Sequence, residues 1–195
     1  MKGSNLGRLP VYLCSLLLGA FVLASPPPGG YHLLKKISLG AAPGGGEYFD
    51  YITVDAAARR LYLSHGTEVK VLDADTGAVV GNITGLKRCH GVALVNDLGK
   101  GFISDGDAGQ AVIFDLKTLK TIGQVKADAD ADCIIYDPAS KHIFVFNGDP
   151  KSCTVIDPAK ETVVATIALG GAPEQAVADG KGMIYDNLED TKEKG

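Results

Sequence analysis

The sequence has no tryptophan, only two methionines and no sustained run of basic residues. Nucleic-acid binding needs a basic stripe that displaces phosphate counterions, and none is present. The formal net charge is -4. It becomes -6 once Lys2 and Arg8 are taken away with the N-terminal segment. Cysteine is scarce as well. Cys14 lies in the N-terminal apolar run, which leaves Cys89, Cys133 and Cys153, so at most one disulfide can form within the chain and a disulfide framework is excluded. No helical period persists beyond a turn or so, which rules out the helical solenoids. The catalytic signatures GxSxG, HExxH, paired CxxC and CxxCH are missing, as is a glycine-rich phosphate loop between a strand and a helix. An enzymatic reading therefore has no motif behind it.

One long apolar run does occur. LPVYLCSLLLGAFVLA follows Lys2 and Arg8 and ends at Ala24, before Ser25 and Pro26. Residues 1–24 read as a secretory signal peptide, which implies an exported chain, periplasmic or extracellular. The alternative is an uncleaved N-terminal membrane anchor, although the run is short and Pro10 interrupts its start. Residues 25–34, which include SPPPGG, read as a Pro/Gly-rich linker.

From residue 35 onward the chain repeats. EVKVLDADTGAVVGNI (68–83), QAVIFDLKTLKTIGQV (110–125) and SCTVIDPAKETVVATI (152–167) are three versions of one hairpin, with Asp73, Asp115 and Asp157 spaced 42 residues apart. Short runs rich in Val, Ile, Tyr and Phe alternate with turn signals about every ten residues, and four strands with their turns fill one such period. The expected fold is all-β: a β-propeller of four-stranded blades, with about three and a half blades spanning 48–86, 87–128, 129–170 and, for the half blade, 171–190. In the first unit the strands from the centre outward are DYITV, RLYLS, EVKVL and AVVGNI. The fourth unit stops after two strands, where LEDTKEKG begins. KKISLGAAPG (35–44) resembles TIALGGAPE (166–174) and reads as an orphan outermost strand. Two explanations fit: a fragment of a longer propeller, or an open arc that associates with another copy through its blade edges.

The aspartates that end the third strands read as turn organisers, accepting backbone N–H bonds, as do Asp55, Asp97, Asp137 and Asp179 at the first turns. Strand polarity singles out a different set. The first residue of each inner strand and the last residue of each second strand share one rim near the axis. These residues are Asp50, His90, Asp132 and Glu174, joined by His65, Asp105, Asn147 and Asn187. Three carboxylates and an imidazole at the inner positions suit a divalent cation or a positioned water. Weaker patterns nearby are DADAD (128–132), read as a solvated acidic turn, and DGDAG (105–109), read as the second-to-third-strand turn. Cys89 and His90 adjoin, but neighbours in a strand point to opposite faces and cannot act as a nucleophile and base pair.

Tyr62-Leu63-Ser64-His65, Phe102-Ile103-Ser104-Asp105, Phe144-Val145-Phe146-Asn147 and Ile184-Tyr185-Asp186-Asn187, each but the last followed by a VLDADTG-like hairpin, resemble the YVTN β-propeller repeat family. The WD40 pattern is less similar, with neither its Trp nor its Gly-His opening. The resemblance covers 35–190 and implies a seven-bladed architecture, export, and a binding or surface role exercised through the channel rim on a small molecule or protein. A metal-assisted hydrolase of the lactonase kind using Asp50, His90, Asp132 and Glu174 is the alternative, and a non-functional truncated copy is a third.

Overall fold

The computed structural model describes residues 30–41 and 48–189. The expectations for the signal peptide, the start of the linker and the charged tail lie outside the described residues. The chain divides into two units, 1–36 and 37–195. In the first, residues 30–36 carry no regular secondary structure, and every strand belongs to the second.

Period-2 alternation becomes strand throughout. The first unit comprises β1 (Phe49–Asp55), β2 (Arg60–His65), β3 (Glu68–Asp73) and β4 (Val79–Thr84). The second comprises β5 (Cys89–Val95), β6 (Lys100–Asp105), β7 (Gln110–Asp115) and β8 (Thr121–Lys126). The third comprises β9 (Ala131–Asp137), β10 (His142–Asn147), β11 (Ser152–Asp157) and β12 (Thr162–Ala168), and the fourth only β13 (Pro173–Ala178) and β14 (Ile184–Leu188). Each complete unit is a four-stranded antiparallel sheet in sequence order, and β13–β14 forms a two-stranded one. Among the described residues the helical elements are two 3-10 turns, Asn96–Leu98 and Gly106–Ala108, the second being the turn expected of DGDAG.

The turn aspartates act as their chemistry dictates. Asp73 Oδ1 accepts the N–H groups of Asp75 and Thr76, Asp115 Oδ1 that of Thr118, and Asp157 Oδ1 those of Ala159 and Lys160. The side chain and backbone of Lys160 together hold Asp157 well down, at about 2. The last residue of these tight turns is left-handed, with φ of 59° at Leu119 and 57° at Glu161, and Gly77 takes the same role at 72°.

The apolar faces meet between units. Tyr62, Val71 and Ile83 of the first sheet pack on Val92, Ile103 and Phe114 of the second. Phe102 and Ile113, pointing the other way, pack on Ile134, Ile143 and Ile156 of the third. Consecutive residues such as Phe102 and Ile103 thus serve two interfaces, and each such side chain contributes roughly 1.5–3 kcal/mol of burial. A smaller cluster of Cys133, Phe146, Cys153 and Ala176 joins the third unit to the half blade. Cys89, Cys133 and Cys153 are free and buried, and burial raises the Cys89 and Cys133 thiols to about 11 and Cys153 to about 12.

One expectation fails. Residues 35–41 of the supposed orphan strand form no strand, and 42–44 lie outside the described residues. An outermost strand needs a third strand to receive its hydrogen bonds, and β13–β14 offers none.

Candidate functional site

Each inner strand begins with an irregularity. The β1–β2 register shifts between Phe49 and Ile52, that of β5–β6 between Cys89 and Val92, that of β9–β10 opposite the step from Val145 to Asn147, and that of β13–β14 between Pro173 and Ala176. A bulge adds a residue and re-aims its side chain. The residues in those gaps include Asp50, His90, Asp132 and Glu174. Serine hydroxyls secure two of the bulges: Ser64 Oγ accepts the Asp50 N–H at 3.0 Å, and Ser104 Oγ accepts the Gly91 N–H at 2.9 Å.

The outcome is convergence on one imidazole. His90 is 1 % exposed. Its Nδ1 lies 2.8 Å from Asp50 Oδ2 and 3.2 Å from Asp132 Oδ1. The Tyr48 hydroxyl, 3.1 Å from the same nitrogen, donates to Asp50 Oδ2 at 2.7 Å. Arg88 sits 5.0 Å above the Tyr48 ring centroid, in a cation–π contact. The ligand atoms of Asp50, His90 and Asp132 all fall within 4.8 Å of one another, close enough for one divalent ion to be coordinated by all three. His90 Nε2 faces Gly106, whose hypothetical Cβ would stand 2.6 Å away, and it has no hydrogen-bond partner.

Burial opposes charge on His90, but the two carboxylates beside it, Asp132 and Asp50, outweigh it, raising its pKa to about 9. Burial also acts against the Asp50 anion, yet hydrogen bonds from His90 and Tyr48 hold its pKa below the ordinary value. Tyr48 is raised to about 12, first by burial and then by its bond to Asp50, so its phenol stays a donor.

The other expected rim residues divide. Glu174 is not in the ligand cluster. Its pKa is raised, first by burial and then by the Asp132 charge. Its backbone carbonyl accepts the Tyr51 hydroxyl at 2.9 Å, linking the first and fourth inner strands. Asp105 and Asn147 are buried and spend their polar atoms on the chain itself. Asp105 Oδ1 accepts the N–H groups of Lys87 and Arg88 at 2.8 and 2.9 Å. Asn147 Oδ1 accepts that of Asp128, and its Nδ2 donates to Ser152 and Thr154. Both fasten the connection between blades. His65 is buried beneath Phe49, with ring centroids 4.3 Å apart, and near Glu68. Asn187 is exposed on the half blade. Sequence reasoning missed Tyr48, because it precedes the strand pattern, and the serines, which read as ordinary second-strand residues.

Immediately inward of the cluster, Tyr51, Gly91 and Cys133 line a cavity of about 570 Å3 between the inner strands, continued by Thr53, Val92 and Tyr136. Asp50, His90 and Asp132 do not line it, but each directly precedes in sequence a residue that does.

No model of a known family matches the chain, nor does any curated protein. Among solved structures it is similar to hydrazine synthase of Kuenenia stuttgartiensis, at 18% identity and a TM-score of 0.68, covering 82% of this chain and 46% of that one. It is also similar to the WD40 β-propeller domain of Doa1, at 14% identity and a TM-score of 0.62, covering 73% and 48%. The fold is propeller-like. At these identities the likeness concerns fold alone, and the chain spans about half the length of the structures it matches.

The His90 environment sets a pH dependence. Its folded pKa of about 9 exceeds the ordinary 6.5, so its contribution to stability is fully present below pH 6.5 and is lost as pH rises through 9. Urea unfolding is expected to show a wild-type loss on the order of 1–3 kcal/mol across that window. A His90→Gln variant that loses as much would contradict the assignment.

Proposed function

We propose that the chain is an exported propeller segment of the YVTN type, part of a probable seven-bladed ring, that acts as an interaction module through the mouth of its channel. The observation that carries this reading is the convergence of residues from three separate units, Asp50, His90 and Asp132, at one point, each next in sequence to a residue that lines the cavity between the inner strands. Structural likeness to propeller folds supports an interaction role in general, and the excess of carboxylate at the mouth favours a ligand bearing positive charge. Thermal unfolding of the full chain against divalent cations, polyamines and short Lys-rich peptides tests it. At least one of these is expected to raise the midpoint of the wild type and not that of Asp50→Asn or Asp132→Asn. No shift from any probe would overturn the reading of the mouth as a binding site.

The ends of the arc support a second contact, with another copy. Ile52 and Val54 on β1 are 63% and 61% exposed, and Val177 and Tyr185 on the half blade are 62% and 58% exposed. These positions correspond to faces that are covered in every interior unit. Light scattering over a concentration series is expected to show association, and Val54→Lys combined with Val177→Lys to return a monomer. A wild type that stays monomeric throughout the series would remove this partner.

Export rests on residues 1–24 alone. In a bacterial host the chain is expected in the periplasm with a new N-terminus near Ser25. An intact Met1 chain in the membrane pellet would instead favour an anchor.

A further inference from the structure

Three oxygens surround one buried nitrogen. Asp50 Oδ2, Tyr48 Oη and Asp132 Oδ1 lie 2.8, 3.1 and 3.2 Å from His90 Nδ1. A ring N–H points in one direction and can serve one of them well. The Tyr48 hydroxyl proton is already committed to Asp50. Asp132 Oδ1 is consequently buried with no hydrogen bond, in spite of its short distance to the imidazole. A buried carboxylate oxygen without a donor is an expensive arrangement. It becomes a favourable one if a cation stands among the same atoms.

We propose that Asp50 Oδ2, His90 Nδ1 and Asp132 Oδ1 are the protein ligands of a borderline divalent transition cation of the Zn2+ class, with the Tyr48 hydroxyl fixing the Asp50 carboxylate from outside. This deepens the reading of the mouth as a binding site and rests on it. The donor set decides the class. An imidazole nitrogen with two carboxylates suits zinc-like ions, which bond nitrogen and oxygen at about 2.0–2.2 Å. Two such bonds at a tetrahedral angle put their donor atoms roughly 3.3 Å apart, close to the 3.2 Å between His90 Nδ1 and Asp132 Oδ1 and wider than the 2.8 Å to Asp50 Oδ2, which binding has to open. Calcium, with about 6–8 oxygen ligands at longer distances, needs a larger oxygen cage than these three residues provide, and magnesium keeps most of its water. Binding replaces whatever proton Nδ1 carries, which passes to solvent. Three protein ligands leave at least one position for a water or for a donor atom of a bound ligand.

Two features of the surroundings bear on ring placement. The Gly91 N–H is tied to Ser104, fixing the backbone that follows His90. Gly106 allows the imidazole to sit where it does, since a Cβ there would stand 2.6 Å from Nε2. Gly106→Ala must displace the ring while removing none of the three ligand groups.

The test is calorimetry on the full chain after chelator treatment, with Zn2+, Mg2+ and Ca2+ as separate titrants and Co2+ followed by its visible absorption. One equivalent of Zn2+ is expected, with Mg2+ and Ca2+ bound at least about 100-fold more weakly. Asp132→Asn, which preserves shape, and Gly106→Ala, which moves only the ring, should each weaken Zn2+ by about tenfold or more. His142→Gln, away from the mouth, should leave it unchanged. Circular dichroism of each variant separates lost binding from lost folding. Zn2+ binding that survives Asp132→Asn would overturn the site, as would preferential Ca2+ binding. Absence of Zn2+ binding while polyamines or Lys-rich peptides still stabilise the wild type would overturn the metal and leave the mouth as a binding site for organic cations.

Discussion

The cluster of Asp50, His90 and Asp132 depends on one backbone hydrogen bond that recurs from unit to unit. The N–H groups of Gly66, Gly106 and Gly148, each just beyond a second strand, donate to the carbonyl oxygens of Tyr48, Arg88 and Asp130 at 2.9, 2.8 and 2.9 Å. Each bond pins the segment entering an inner strand two residues before Asp50, His90 or Asp132. Because the same bond sits at the same place in each sheet, the three residues arrive at the same height. The bulge then aims them. Without the pin the bulges would direct side chains from segments of variable height, and no common point would exist.

Carboxylates brought together in this way repel, and the fold answers with whatever positive or donating groups lie at hand. His90 is drawn toward its charged form by two anions, and the Tyr48 hydroxyl donates a hydrogen bond to Asp50. Arg88 covers the Tyr48 ring. Glu174, farther from the imidazole, has less to hold it ionised and its pKa moves up instead. The balance is incomplete at two atoms, Asp132 Oδ1 and His90 Nε2, both buried and without hydrogen bonds. Local rules of polar satisfaction hold across the turns, where every third-strand aspartate is answered by backbone N–H groups. They lapse at the cluster, and also at the Tyr62 hydroxyl and the Asp186 carboxylate.

The division between what could and could not be read from the sequence follows from the range of the interactions. Turn chemistry is local, so Asp73, Asp115 and Asp157 betray their role through their neighbours, and the 42-residue step gives unit and strand boundaries to within a residue or two. The convergence of Asp50, His90 and Asp132 was also legible, because strand polarity alone places first residues of inner strands together. Asp105 and Asn147 were misread as open rim. Their partners, the Lys87, Arg88 and Asp128 amides, belong to connections 17–19 residues away whose path no periodicity encodes. Tyr48 was invisible for the same reason. The orphan strand was misread differently: KKISLG has the composition of an outer strand, but a strand exists only where another presents free backbone groups.

That last point bears on the ends of the arc. An interior blade has both faces covered by its neighbours, so a residue such as Phe102 is fully buried although its sheet is only one layer thick. The first and last units each have one neighbour. Val54 on β1 and Val177 on β13 carry the residue type that interior units bury, and here they meet solvent. Tyr51 reaches from the first inner strand to the Glu174 carbonyl, so the two ends communicate at the mouth by a single side chain and not by sheet packing. A hydrogen bond of that kind contributes about 1 kcal/mol, far less than the burial an interior blade interface supplies. The geometry of the mouth therefore leans on the interfaces between the first, second and third units, which carry Asp50, His90 and Asp132. Glu174, carried by the half blade, stands outside that cluster.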